Sequence, residues 1–407
     1  MRARRPFGRV LSLFTGAGGL DVGLERAGLV TVACLETDGA AQAVLRANRP
    51  SWWIPADGDV TGAPSWLKPV DLGLKPGELD LIAGGPPCQP FSKAAQWKSS
   101  ARAGMRDPRA QSIHGMFDLI DDFLPKALLI ENVSGFLQGK DSALGVVMER
   151  LDGINRDHGT NYDLSWTIVD SADYGVPQHR QRAIAIAYRD GQEVALPAPT
   201  HIGRPVRSWD ALWDLKEVVK PAPSGYWSGL LPSIPEGKNY LHHTARGDGA
   251  ELFGWRTRYW SFLLKLAKDR PSWTLPASPG PSTGPFHWEN RPLSVREQAR
   301  LQSFPDSWKF SGVERAQRKV VGNATPPLLA EVLGRAIISQ LGVGDADDRE
   351  ALVARRPTLL RARRRALPCE EPVLAIPDIY REHIGAKDAH PGHGRGPSPR
   401  VITEEVA

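Results

Sequence analysis

The chain has 407 residues, enough for two or three domains, and its 41% hydrophobic and 24% charged residues exclude collagen-like and wholly disordered proteins. A formal charge of +5 suits a polyanionic partner without demanding one, and three cysteines are too few and too scattered for a disulfide scaffold or a zinc site. No apolar run approaches a membrane span and the Arg-rich start leads into strand-like sequence, so a cytoplasmic protein without a metal site or membrane partner is expected.

Taken in chain order, short β-branched runs at 10–14, 30–35, 79–83, 127–130, 166–170 and 183–188 alternate with helical patterns, which predicts an α/β fold with a doubly wound parallel sheet. The clearest helix is 111–124, where Ile113, Phe117, Ile120 and Leu124 form an apolar stripe. From about 196 to 288 the chain is rich in Pro, Gly and Trp and reads as a smaller module, with Trp209, Trp213, Trp227, Trp255, Trp260 and Trp273 as its core. A helix over 293–302 is expected to begin with a capping box between Ser294 and Glu297. Another, over 327–340, starts with Pro in its first turn. The domains expected are 1–190 completed by 320–341, then 191–319, then a partly disordered tail over 342–407.

The first strand runs into Phe14-Thr15-Gly16-Ala17-Gly18-Gly19. Such a glycine cluster is either a plain tight turn or a place where backbone approaches a ligand beside a helix start, and its spacing is not that of dinucleotide enzymes. Glu36 lies twenty residues after Gly16, a separation at which an acidic side chain accepts from ribose hydroxyls. Asp59, in Gly58-Asp59-Val60, is expected to end a third strand and accept from an adenine amino group. All three positions fall at carboxyl ends of strands, where doubly wound sheets bind ligands, so an adenosine-containing cofactor is expected.

The fourth strand is followed by Gly84-Gly85-Pro86-Pro87-Cys88-Gln89-Pro90-Phe91-Ser92, in which prolines restrict the backbone around one thiol. Cys34, inside a strand-like run, reads instead as a small buried hydrophobe. A nucleophilic Cys88 needs acid–base neighbours, because an ordinary thiol is mostly protonated at neutral pH. Glu131, in Glu131-Asn132-Val133, is expected beside it through a right-handed crossover. In Gln178-His179-Arg180-Gln181-Arg182 an extended chain points Arg180 and Arg182 to one side. The stretch after Ser92 carries Lys93, Lys98, Arg102 and Arg106, a charge pattern suited to a lid over a phosphate backbone.

Together these segments, with 291–306 and Gly322-Asn323-Ala324, resemble the DNA cytosine-5 methyltransferase family in the family's own order. The resemblance implies a Rossmann-like methyltransferase fold with a smaller target-recognition domain, and S-adenosylmethionine as methyl donor. Its cofactor-binding set would be Phe14, Thr15, Gly16, Gly18, Gly19, Glu36, Asp59, Val60, Pro87 and Asn323. It also implies that Cys88 adds to carbon 6 of a flipped-out cytosine, that Glu131 donates to ring nitrogen 3, that Arg182 holds the base carbonyl and that Arg180 steadies Glu131. Gln89 and Ser92 would lie near the vacated space in double-stranded DNA, while Thr274-Leu275 resembles the family's Thr-Leu pair in the target-recognition domain. A bacterial modification enzyme of the cytoplasm or nucleoid is implied, monomeric, with a companion restriction or defence protein. A tRNA methyltransferase and a non-catalytic DNA-binding regulator on the same fold are the alternatives.

Overall fold

The computed structural model describes residues 7–87, 110–139, 142–215, 219–253, 260–354 and 364–381. The chain divides into two compact units, one of Met1–Val176, Arg180–Arg204 and Gln302–Arg361, the other of Pro177–His179, Pro205–Leu301 and Ala362–Ala407. Cys88, Gln89, Ser92, the basic stretch after them and Trp255 lie outside the described residues.

The first unit opens with β1 (Gly8–Leu13), α1 (Gly19–Arg26), β2 (Leu29–Leu35), α2 (Gly39–Asn48) and β3 (Leu81–Gly84). It continues with α3 (Gln111–Phe123), β4 (Ala127–Asn132), α4 (Leu144–His158), β5 (Ser165–Asp170) and β6 (Gln181–Tyr188). The six strands form one sheet in the order β2-β1-β3-β4-β6-β5. Every residue of β4 is buried, as expected of a strand covered on both faces, and its carboxyl end carries Glu131 and Asn132 into the interior. The apolar stripe of α3 packs in the core through Ile113, Phe117 and Ile120, and the helix ends where Leu124 turns left-handed with φ 45°.

The sheet is not wholly parallel. β1, β2, β3 and β4 pair in parallel, whereas β6 runs antiparallel between β4 and β5. The expected strand ending at Asp59 is also absent: a single bridge joins Ala33 to Trp53, after which the chain turns, and Asp59 is exposed with its Oδ1 accepting from the Thr61 amide at 2.9 Å. Cys34 is a core residue whose thiol burial pushes up, and its chemistry is that of a small hydrophobe.

Two later helices, α7 (Glu314–Asn323) and α8 (Pro327–Leu341), belong to this same unit. Helix α8 lies against α1 at glycine contacts: a Cβ on Gly23 would meet the Pro327 carbonyl oxygen at 2.3 Å. A helix α9 (Ala346–Ala354) follows.

Asp21 of α1 is fully buried, and Thr31 Oγ1 donates to its Oδ1 at 3.3 Å. Burial raises its pKa to about 7, against the opposing effect of its hydrogen bond with Ser12. The native state therefore holds a proton that the unfolded chain releases near pH 4, and stability from this group is lost as pH rises from about 4 to 7. Asp21→Asn is expected to raise the melting temperature above that of the parent at pH 8 and to leave it nearly level at pH 4. Thermal melts whose difference is the same at both pH values would exclude this linkage.

In the second unit α5 (Ser208–Leu212), β7 (Phe286–His287), β8 (Arg291–Pro292) and α6 (Val295–Leu301) are the regular elements, with α10 (Asp378–Arg381) near the carboxyl end. The capping box is present: Glu297 N donates to Ser294 Oγ at 3.1 Å and Ser294 N to Glu297 Oε2 at 2.8 Å. One core gathers Trp227, Tyr240, Phe253, Phe262 and Tyr380; another gathers Leu212, Leu266, Leu275, Trp288 and Leu301.

The tryptophans do not all serve as core. Trp227 is buried, whereas Trp213 and Trp260 are exposed, Trp260 by 49%. Residues 364–381 pack against the second unit's cores. Arg365 stacks on the Trp213 ring at 4.2 Å, Leu374 N donates to the Pro232 carbonyl at 2.9 Å and Tyr380 enters the Trp227 core. Aromatic and Arg residues far along the chain complete a module that is short of regular structure. Among the described residues no helix is long and apolar enough to cross a membrane.

Candidate active site

The glycine turn after β1 is built from left-handed backbone: φ is 53° at Phe14, 59° at Gly16 and 78° at Gly18. Glu36, directly after β2, fastens it. Its Oε2 accepts from the Gly16 amide at 2.6 Å and its Oε1 from the Asp38 amide at 2.7 Å. Burial raises the Glu36 pKa, and the two amide donors oppose that shift. Thr15 is buried, donating through Oγ1 to Ser12 Oγ at 3.0 Å.

The glycines differ in what they face. A Cβ on Gly19 would strike the Thr325 carbonyl oxygen at 2.2 Å, and one on Gly58 the Glu36 carbonyl oxygen at 2.1 Å, so both are required by backbone packing. A Cβ on Gly16 would meet nothing nearer than the Phe14 carbonyl oxygen at 3.9 Å. Open space beside Gly16, together with a carboxylate that has used two of its roughly four acceptor positions, fits a ligand presenting hydroxyl groups. Val60 is buried beneath the same edge, while Asn323 ends α7 with an exposed side chain.

The second cluster forms where β3 and β4 end. Gly84 pairs with Ile130, and a Cβ on Gly85 would lie 3.1 Å from the Glu131 carbonyl oxygen and 3.3 Å from its Oε2. Asn132 Nδ2 donates to the Pro86 carbonyl at 2.8 Å, and its Oδ1 accepts from Val133 N at 2.8 Å. The chain thus leaves β3 pinned beside Glu131 as far as Pro87, the residue before Cys88.

Glu131 is 7% exposed, and its Oε1 lies 3.0 Å from Arg182 Nε in an ion pair without hydrogen-bond alignment. Arg180 is 2% exposed; its amide donates to Asp170 Oδ1 at 3.0 Å, its carbonyl accepts from Ser171 and its Nη2 donates to the Asn323 carbonyl at 3.3 Å. Alternation holds at this strand start, since Gln181 is exposed between its two neighbours. Arg182 is in an ion pair with Glu131, and the Arg180 guanidinium donates to the Asn323 carbonyl at the end of α7.

Thr274 is exposed in the second unit, whereas Leu275 is 3% exposed and packs with Leu301 and Trp288, so its side chain belongs to the core rather than to an open face. Sequence reasoning gives no role to Asn132 or Asp170. Asn132 is visible as the middle residue of Glu131-Asn132-Val133, but its bond to Pro86 spans 46 residues and requires the β3–β4 pairing.

The family model described as C-5 cytosine-specific DNA methylase matches residues 8–339. The type II methyltransferase M.SacI of Streptomyces achromogenes is 35% identical over 83% of this chain and 94% of its own length. M.Sau96I of Staphylococcus aureus is 33% identical over 82% of this chain and 76% of its own. Among solved structures, a mutant DNMT2 of Spodoptera frugiperda aligns with a TM-score of 0.54 at 18% identity, covering 81% of this chain and 99% of that one. The Entamoeba histolytica methyltransferase EhMeth aligns with a TM-score of 0.53 at 17% identity, covering 82% and 98%; these two likenesses speak to the fold alone. With its methyltransferase sheet, ligand-ready glycine turn and buried acidic strand end, the chain belongs to the C-5 cytosine-specific DNA methylase family, whose members transfer the methyl group of S-adenosylmethionine to carbon 5 of cytosine in DNA.

Proposed function

We propose that this protein is the modification enzyme of a type II restriction–modification system, acting on a cytosine rotated out of one specific double-stranded DNA sequence. The relatives M.SacI and M.Sau96I are named as type II methyltransferases, which supports that role. It works as a monomer in the bacterial cytoplasm, with a companion nuclease of the same specificity. A cytosine inside a duplex hides carbon 6, so extraction precedes chemistry and costs a few kcal/mol.

The observation that carries the chemistry is the buried Glu131 beside Arg182, with the chain leading to Cys88 pinned by Asn132. Cys88 adds as thiolate to carbon 6 while Glu131 gives a proton to ring nitrogen 3, which withdraws electrons from the carbon under attack. Arg182 holds the Glu131 carboxyl in place and offers its remaining donors to the base carbonyl; Arg180 fixes the strand start through Asp170 and the end of α7 through Asn323. When bound, S-adenosylmethionine supplies the electrophilic methyl group that the enamine-like carbon 5 takes up. Loss of the carbon 5 proton to a base then expels the Cys88 thiolate, and return of the nitrogen 3 proton to Glu131 restores the neutral ring.

Glu36 would accept from the ribose hydroxyls of S-adenosylmethionine, and Phe14, Thr15, Gly16, Gly18, Gly19, Asp59, Val60, Pro87 and Asn323 would make up the rest of the set that holds it. Gln89 and Ser92 approach the space left by the base, and Thr274 faces the DNA. Bisulfite sequencing of DNA from a host expressing the protein should show one short sequence fully converted to 5-methylcytosine at one position. Unmethylated DNA from cells holding folded protein, or methyl groups found only in RNA, would overturn the proposal.

A further inference from the structure

Three residues immediately before Arg180 belong to the second unit although the chain on both sides belongs to the first. Pro177, Gln178 and His179 are laced there to the segment carrying Thr274. Ser272 N donates to the Pro177 carbonyl at 2.9 Å, His179 N to the Ser272 carbonyl at 2.8 Å and Thr274 Oγ1 to the His179 carbonyl at 2.7 Å. The Gln178 side chain, completely buried, closes the seam from within: its Oε1 accepts from Leu275 N at 3.1 Å and its Nε2 donates to the Leu301 carbonyl at 3.3 Å.

A buried amide satisfied at both ends holds its neighbours in one arrangement, because breaking either bond strands a polar group away from water. The loop so held presents recognition chemistry. Trp273 and the half-exposed Trp260 meet edge to face with centroids 5.4 Å apart, and the His179 ring lies 5.9 Å from Trp273, beside exposed Thr274. Partly exposed aromatic rings next to a hydroxyl suit the sugar and base edges of a duplex. One peptide bond separates His179, whose carbonyl holds Thr274, from Arg180.

We infer that Gln178 is a positioning residue that makes methyl transfer depend on correct DNA seated at the Trp273-Thr274 loop, by transmitting the loop's position along the backbone to Arg180 and Arg182. The inference rests on the methyltransferase reading above and deepens it. Displacement of the loop by a mismatched base pair moves the Gln178–Leu275 and Thr274–His179 bonds, and with them the strand start that carries the arginine paired with Glu131.

The test uses the full-length protein and short DNA duplexes holding either the sequence methylated by the wild type or single-base variants of it. Gln178→Met, which matches the side chain's length without its polar atoms, should lower kcat on the correct duplex about tenfold and leave slow methylation of variant duplexes unchanged, so discrimination falls about tenfold. S-adenosylmethionine binding, measured by equilibrium dialysis, should stay within about twofold and shows that the first unit is folded. Rates reduced by one factor on every duplex, or unchanged discrimination in Gln178→Met, would overturn the inference. A wild type that methylates no duplex would instead defeat the reading on which it rests.

Discussion

Cys88→Ala is expected to lower methyl transfer by about four orders of magnitude or more while S-adenosylmethionine binding stays within about twofold. Carbon 6 of cytosine takes up a nucleophile only weakly, and carbon 5 attacks a methyl donor only after that addition, so removing the sulfur removes the whole route rather than slowing one step. Cofactor binding survives because Glu36 and the turn at Gly16 are fastened to each other at the ends of β1 and β2. Tritium transfer from labelled cofactor gives the rate, and dialysis gives the affinity. A duplex carrying 5-fluorocytosine, which lacks the removable carbon 5 proton, should trap the wild type covalently and leave Cys88→Ala unbound. Residual turnover within a hundredfold of wild type would assign the nucleophile elsewhere.

Glu131→Ala should cost about three orders of magnitude in kcat, the scale on which loss of one preorganised donor to a developing charge acts. It should change KM for the cofactor little. The loss comes from three properties of the site: the carboxyl is nearly sealed from water, Arg182 lies 3.0 Å from one oxygen, and Gly85 sets no side chain against the other, from which a Cβ there would lie only 3.3 Å. Glu131→Gln keeps a neutral donor of the same length and should recover part of the rate. Single-turnover kinetics separate this chemical effect from DNA binding. An alanine variant with normal kcat and a raised KM for DNA would assign Glu131 to binding alone.

Much of this site is legible in the sequence because its motifs are local. The turn at Gly16, the acidic residue after β2, the proline-bound thiol and the Glu131 strand end each announce themselves within a few neighbouring residues, and the capping box at Ser294 and Glu297 forms as its spacing dictates. The misreadings come from nonlocal partners. The strand expected to end at Asp59 is reduced to one bridge between Trp53 and Ala33, and exposed Trp260 and Trp213 could not be told from buried Trp227 by composition. The ordered segment over 364–381 has few features of its own; its place is set by Trp213, Pro232 and Trp227, more than a hundred residues earlier.

The amino-acid order alone determined which chemical groups the protein owns, and that they lie at strand ends, because periodicity and turn chemistry act over a few residues. Which groups meet was decided by the sheet. Had β6 run parallel to β4, Arg182 at its start would lie at the edge opposite Glu131; the antiparallel pairing that sets Glu131 against Ile184 brings the beginning of one strand to the end of the other. Strand direction depends on how the whole chain buries its apolar faces, a cooperative property of the folded core that no short window of residues contains.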